Sequence, residues 1–335
     1  MAEKAVVLMT YELPENWQGA ALDDFQIILN DGDQKGITPK LQEHLAEASG
    51  IFCLLDDPIT PDMLHNAPQL KVVSNMAVGV DNIDLDTCTR LGIPVGHTPG
   101  VLTDGTADLT LALLLSVCRQ LPQASEDARK GRWSSWNPIG WLGTDLKSAT
   151  VGIIGLGKIG YAVAQRLSGF GSNIIFTSKN PKPEESRSLK AVQVSLEELL
   201  KSSDIVCLHT ALTKETRGMI DRKAFQLMKE SAILINAARG PVVNTGDLFE
   251  ALNSGQIRAA GLDVTDPEPL PPDHPLYQLD NCLITPHIGS ATYNTRKSMA
   301  KIALRNLVAG LNGDYLPLCA NPEVYRSNKL EKPFS

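Results

Sequence analysis

Arg239, Glu268 and His287 each stand shortly beyond an apolar, strand-like run: Ile235-Asn236-Ala237-Ala238, the run ending Asp263-Val264, and Leu283-Ile284-Thr285-Pro286. Together these side chains could do carbonyl chemistry. Arginine presents a planar, permanently charged fork that grips a carboxylate and polarises a neighbouring carbonyl. Histidine gives up a proton near neutral pH, as a developing alkoxide requires. A glutamate beside that histidine stabilises its charged form and fixes its orientation. In a doubly wound sheet the C-terminal strand ends converge on one crevice, so residues this far apart in sequence can meet. Taken singly, they also read as a surface cation, a loop carboxylate between Pro267 and Pro269, and a histidine packed after a proline.

A hydride carrier is indicated by VGIIGLGKIG, residues 151–160, in which an apolar run meets a glycine turn and then a helix-compatible stretch. Gly155 lets the chain turn off the strand, Gly157 admits a pyrophosphate close to the backbone, and Gly160 lets strand and helix pack closely. The helix N-terminus offers free N–H groups and a positive dipole end to phosphates. The next strand, Asn173-Ile174-Ile175-Phe176-Thr177, ends where an NAD site places a carboxylate against the ribose 2′-hydroxyl. No Asp or Glu occurs from Tyr161 through Pro183, and Ser178-Lys179-Asn180-Pro181-Lys182 stands in its place. A hydroxyl and two ammonium groups suit a 2′-phosphate, which favours NADPH, with NADH possible; the same lysines also read as a solvated loop. Asp263 is placed to accept a hydrogen bond from the nicotinamide carboxamide.

The elements that must position these groups follow from apolar patterning. Apolar runs at 5–9, 26–29, 51–55, 71–75 and 94–96 read as strands, with helices at 40–48, 62–66 and 84–91. Met76-Ala77-Val78-Gly79-Val80-Asp81 follows one of these strands and reads as a plain turn or as backbone amides facing a carboxylate. After the glycine motif, strands at 205–209, 232–236, 259–264 and 282–285 alternate with helices at 195–201, 222–228 and 246–253. A last helix, about 292–311, is predicted to return to the first domain. The fold class is therefore α/β, two doubly wound parallel-sheet domains, with a Rossmann nucleotide domain (104–289) inserted in a flavodoxin-like substrate domain (1–103 and 290–335). One long helix is predicted from Thr103 or Asp104 towards Arg129, apolar nearly all round, which points to a subunit interface. The stretch 131–141 then holds Trp133, Trp136 and Trp141, read as a dimer arm or as an indole at the mouth of a substrate site.

A chain of 335 residues has room for two buried cores. Its net charge of -7 argues against nucleic acid and anionic membranes as partners, and no apolar run reaches the length of a bilayer span. The start, Met1-Ala2-Glu3-Lys4, carries no secretory pattern, and the end, Lys332-Pro333-Phe334-Ser335, no address signal, so a cytoplasmic protein is expected. Cysteines 53, 88, 118, 207, 282 and 319 show no paired spacing and read as buried thiols in a reducing compartment. The histidines show no metal-ligand spacing, so no metal is expected.

GLGKIG (155–160), NAARGPVV (236–243), GLDVTDPEP (261–269) and TPHIGSAT (285–292), in this order, resemble the D-isomer-specific 2-hydroxyacid dehydrogenases over nearly the whole chain. Within that family, AVGVDNID (77–84), TPGVLTDGTAD (98–108), RWSSW (132–136) and LDVTDPEPLPPDHPL (262–276) are most similar to the glyoxylate/hydroxypyruvate reductase branch. The resemblance implies that Arg239 binds a small 2-oxo acid, that Glu268 tunes the histidine and that His287 donates the proton, giving glycolate or D-glycerate. It places the Val78 and Gly79 amides, Ser290 and Trp141 on the substrate. Gly155, Leu156, Gly157, Lys158, Ile159, Ser178, Lys179, Asn180, Lys182, Ala211, Ala237, Asp263, His287 and Gly289 fall to the cofactor, and a homodimer is built on the helix and arm at about 104–145.

Two positions depart from that branch. Aligned without gaps, its partner-reaching tryptophan falls on Gly140, so the Trp141 indole is displaced; His209 and Thr210 also change a loop of the cofactor wall. The alternatives are an NAD-dependent D-2-hydroxyacid or 3-phosphoglycerate dehydrogenase and a dinucleotide-sensing corepressor. The missing acid after Phe176, and a chain that ends too soon for a regulatory domain, oppose the first. The lack of extended tails opposes the second. Formate oxidation is disfavoured because that branch lacks the glutamate beside its histidine.

Overall fold

The computed structural model describes residues 4–31 and 36–327; the readings made on Met1-Ala2-Glu3 and on Lys332 to Ser335 lie outside them. The chain divides into two compact units, Met1–Leu102 with Thr292–Ser335, and Thr103–Ala291.

The first unit holds strands β1 (Val6–Met9), β2 (Gln26–Leu29), β3 (Ala48–Cys53), β4 (Val72–Asn75) and β5 (Val95–Gly96), all parallel, in the order β2-β1-β3-β4-β5. β1, β3 and β4 are buried along their whole length, as a parallel sheet covered on both faces requires. The helix Tyr293–Asn312 belongs to this unit. Thr292 caps it by accepting from the Thr295 N–H, and Gly313 ends it in the left-handed conformation at φ +82°. A side chain on Gly310 would stand 2.4 Å from Val72, so the glycine lets the helix lie directly on β4. The single helix predicted at 40–48 is instead a short helix, Pro39–Gln42, and a 3-10 turn, Leu45–Glu47. β3 starts at Ala48, before the predicted strand at 51–55, and the chain must leave the helical conformation to enter it.

The second unit holds β6 (Thr150–Ile154), β7 (Asn173–Thr177), β8 (Val192–Gln193), β9 (Ile205–Leu208), β10 (Ile233–Asn236), β11 (Ala259–Leu262) and β12 (Cys282–Ile284), again all parallel. Their order is β12-β11-β10-β9-β6-β7-β8, so the winding reverses between β6 and β9. Ligands of open α/β sheets bind at that reversal.

Helix Thr103–Cys118 lies against β11: a side chain on Gly261 would stand 2.8 Å from Leu113 and 3.1 Å from Val117. The long helix predicted towards Arg129 is two helices, Thr103–Cys118 and Leu121–Arg129. Pro122 explains the break. Its ring would clash with the carbonyl four residues back, at Cys118, and it has no N–H to donate there. Gln120 takes φ +51°, and the Cys118 carbonyl accepts from Thr144 N–H at 2.9 Å instead. Among the described residues no helix is long and apolar enough to cross a membrane.

Candidate active site

The strand register of the second unit sets a row of loop-starting residues side by side. Ile154, Leu208, Asn236, Leu262 and Ile284 are aligned across five neighbouring strands. One residue further on, each chain has left its ladder, at Gly155, His209, Ala237, Asp263 and Thr285. Arg239, Glu268 and His287 lie in the loops that continue from the last three strands.

Arg239 is presented by a turn fastened to Asn236. The buried Asn236 side chain accepts from Ala238 N–H at 3.1 Å and donates to the Arg239 carbonyl at 3.0 Å. The half-buried guanidinium donates to the Ala238 carbonyl at 2.8 Å. A side chain on Gly240 would fall 1.8 Å from the Thr265 carbonyl oxygen, so glycine there lets the arginine turn touch the loop that carries Glu268. Thr245 ties the same loops together, its hydroxyl donating to the Asp266 carbonyl at 2.7 Å.

Glu268 and His287 are brought together. The His287 Nδ1 to Glu268 Oε1 distance is 2.5 Å, while Oε2 of the same carboxylate accepts from Thr265 N–H at 3.2 Å. With Nδ1 engaged, Nε2 is the nitrogen left to face a substrate. His287 takes φ +51°, a left-handed backbone that costs a non-glycine residue roughly 1–2 kcal/mol. Its N–H is held by the carbonyls of Asp263 at 2.9 Å and Thr285 at 3.0 Å.

Asp263, expected from sequence to meet the nicotinamide carboxamide, braces the loop around His287. Its carboxylate is buried and accepts from Thr285 Oγ1 at 2.7 Å, Ile288 N–H at 2.9 Å and Gly289 N–H at 2.8 Å. That takes three of about four acceptor sites and clamps both flanks of His287. The bracing was not legible from the motif alone.

The glycine turn fits a dinucleotide. Gly155 has φ +95°, and a side chain there would stand 2.7 Å from the His209 carbonyl. Gly160 lies so close that its side chain would meet the Gly155 carbonyl at 2.2 Å, whereas open space surrounds Gly157. The helix Lys158–Gly169 starts there without a side-chain cap, leaving its first N–H groups to a phosphate. Gly157 and Lys158 are exposed, Leu156 is buried and Ile159 packs on the core beside it.

Two acids, Glu185 just beyond the loop after β7 and Glu215 from a later one, answer its lysines. Lys182 pairs with Glu185 at 3.4 Å, and Gln193 donates to the Ser178 carbonyl at 3.0 Å. The Glu215 carboxyl is held below its ordinary pKa, first by a hydrogen bond from Thr213 and further by the charges of Lys179 and Lys214. Asn180 is exposed beside them, and Ala211 accepts from the Thr216 hydroxyl at 2.7 Å.

Val78 and Gly79 lie in the first unit. His97 Nδ1 meets the Val78 carbonyl at 3.1 Å, and the Asn75 amide donates to the Gly79 carbonyl at 3.0 Å. Ser290 is half-buried and follows the clamped Gly289. Within one chain Trp141 is not brought to the trio. It lines a cavity of about 350 Å³ with Arg258, Ala259, Asn281 and Leu283, where β11 and β12 begin, at the opposite strand ends from His287. No group of three or more His, Cys, Asp or Glu among the described residues could hold a metal ion.

Residues 111–289 match the family model for the NAD binding domain of D-isomer specific 2-hydroxyacid dehydrogenases. The chain is 49% identical over 279 residues to the glyoxylate reductase/hydroxypyruvate reductase of Mus musculus, covering 83% of this chain and 85% of that protein. It is 43% identical over 329 residues to the glyoxylate reductase of Thermococcus litoralis, covering 97% and 99%. The structure resembles the NADPH-dependent glyoxylate/hydroxypyruvate reductase of Sinorhizobium meliloti, solved with NADP and malonate, at a TM-score of 0.85 and 28% identity over 96% of this chain and 98% of that one. The paired histidine and glutamate, the glycine cradle and these likenesses agree: the chain belongs to the D-isomer-specific 2-hydroxyacid dehydrogenase family of NAD(P)-dependent oxidoreductases.

Proposed function

We propose that this protein reduces glyoxylate or hydroxypyruvate to glycolate or D-glycerate, with NADPH preferred over NADH. The observation that carries the reading is the Glu268–His287 contact of 2.5 Å, which leaves Nε2 as the proton-bearing atom. Arg239 binds the substrate carboxylate and polarises the adjacent carbonyl, assisted by the Val78 and Gly79 amides and Ser290. The nicotinamide, when bound, supplies the hydride. His287 delivers the proton from Nε2 to the carbonyl oxygen, while Glu268 stabilises the imidazolium before transfer and keeps the ring in place. Gly155, Gly157 and the first N–H groups from Lys158 hold the pyrophosphate. Ser178, Lys179, Asn180 and Lys182 read the 2′-phosphate.

NADH use is the second reading. It draws support from Glu185 and Glu215, which set negative charge beside Lys182 and Lys179.

The protein acts as a homodimer in this reading. Trp133, Trp136, Ile139 and Leu142 are 75%, 83%, 76% and 64% exposed on the arm after Arg129, more apolar surface than a lone subunit keeps in water. Sedimentation of the purified protein at two concentrations tests this, and a monomer at both rejects it. A reducing, cytoplasmic setting fits the six free thiols.

Steady-state oxidation of NADPH and NADH, followed by absorbance with glyoxylate, hydroxypyruvate and pyruvate in turn, tests the whole reading. Faster turnover of the first two acids with NADPH is the expected result; turnover confined to pyruvate, or to NADH, rejects it.

A further inference from the structure

His209 stands beside the glycine turn and has no part in the mechanism above. It is the first residue past β9, and its N–H still donates to the Ile154 carbonyl at 2.8 Å, so the strand alternation extends to it. Ile205 and Cys207 point into the core that contains Ile153 and Ile235, and His209 follows them onto the same face. The register flanks it with Gly155 on one side and Ala237 on the other. It therefore sits at the reversal of strand order, its backbone closed against the glycine turn. Both ring nitrogens are buried, and neither meets a protein partner.

Native proteins seldom keep such a group without a reason. Asp263, two strands away in the same row, is met by three donors. Burial pushes the His209 pKa down to about 4, so near neutral pH the ring is uncharged and carries one donor and one acceptor. That pair is not matched to a bare anion alone. It suits a stretch that combines phosphate oxygens with hydroxyl groups.

We propose that His209 is a positioning residue for the dinucleotide, its neutral imidazole hydrogen-bonding the ribose–pyrophosphate stretch of the bound cofactor, directly or through one water. This rests on dinucleotide binding at Gly155–Gly160 but not on the choice of oxo acid or on the preference for NADPH. The test compares the full-length protein with His209→Phe and His209→Asn, titrating NADPH and ADP-ribose in the absence of substrate and recording melting temperatures without ligand.

His209→Phe is expected to melt higher without ligand, because an unpaired polar ring is replaced by an apolar one. It is expected to bind both ligands about tenfold more weakly, as the loss of a hydrogen bond worth about 1.4 kcal/mol would give. Its KM for NADPH rises with kcat within about twofold, and His209→Asn, which keeps a donor and an acceptor, recovers most of the affinity. Wild-type affinity of His209→Phe for both ligands overturns the proposal and makes the ring a packing residue. A loss with NADPH but not with ADP-ribose overturns the assignment to ribose–pyrophosphate. Should His209→Phe not fold, His209→Met carries the same two outcomes. ADP-ribose lacks the 2′-phosphate, so failure of the NADPH preference leaves this test intact.

Discussion

Asp263 and His209 occupy equivalent places, each one residue beyond its ladder on the same face of one sheet, yet they are treated in opposite ways. Asp263 is saturated with hydrogen bonds from the loop around His287, whereas the His209 ring nitrogens have no protein partner. In the proposed mechanism the difference separates two tasks. Groups that move a proton must be in place before the substrate arrives, because their geometry sets the barrier. Groups that hold a cofactor can take their last partner from the cofactor itself.

The largest expected effect belongs to His287, the proton donor of the proposed mechanism. His287→Ala is expected to lower kcat by roughly 10²–10⁴ while leaving NADPH affinity within about twofold, since it removes an acid without touching the phosphate sites. Stopped-flow turnover and a binding titration check it, and near-normal turnover removes His287 from the mechanism.

Next comes its brace. Asp263→Asn replaces a charged acceptor that holds Thr285, Ile288 and Gly289 with an amide that satisfies fewer of them. Misplacement of His287 by about 1 Å corresponds to a loss of roughly 10² in kcat. Stability falls by about 1.5–3 kcal/mol for a lost charge-assisted bond. Equal losses in affinity and kcat would assign Asp263 to the cofactor alone.

These two residues also mark what could be read from the sequence. β2 and β7 lie where the apolar runs put them, although neither is fully buried: Gln26 and Asn173 at their starts are exposed, and the apolar residues that follow carry the pattern. The proline that divides the 103–129 stretch was present in the sequence but outweighed by the apolar pattern around it. The contact between Glu268 and His287, 19 residues apart, follows from two strands ending side by side. The left-handed His287 backbone, the three donors on Asp263 and the missing partners of His209 leave no such trace. They depend on which loops meet in space, and a chain pattern records only its own periodicity.

The His209 ring gives a pH signature. Its pKa in the folded protein, about 4, lies below the ordinary 6.5, so the unfolded chain binds more protons between those values. The stability of the neutral buried ring is complete above about pH 6.5 and is lost as pH falls through the window, by at most about 1.4 kcal/mol per pH unit. Between pH 7 and pH 5 the advantage of His209→Phe over the wild type should grow by about 2 kcal/mol in denaturant midpoints. An advantage that does not change with pH would mean the ring is not held neutral.

The smallest expected effect is at the exposed loop proposed to read the 2′-phosphate. Lys179 already faces Glu215, and Lys182 faces Glu185, so the loop's positive charge is partly answered before any phosphate arrives. Lys179→Asp would turn an attraction into a repulsion and should lower the NADPH-to-NADH ratio of kcat/KM by about tenfold, roughly 1.4 kcal/mol. Glu215→Gln should act the other way and by less, about two- to threefold, because exposed charge pairs are screened by water and salt. Opposite shifts from the two variants would make this loop the reader of the 2′-phosphate through its net charge. If neither moves the ratio, selectivity lies outside the 178–182 loop and the contrast between a clamped proton site and an adjustable cofactor site must rest on His209.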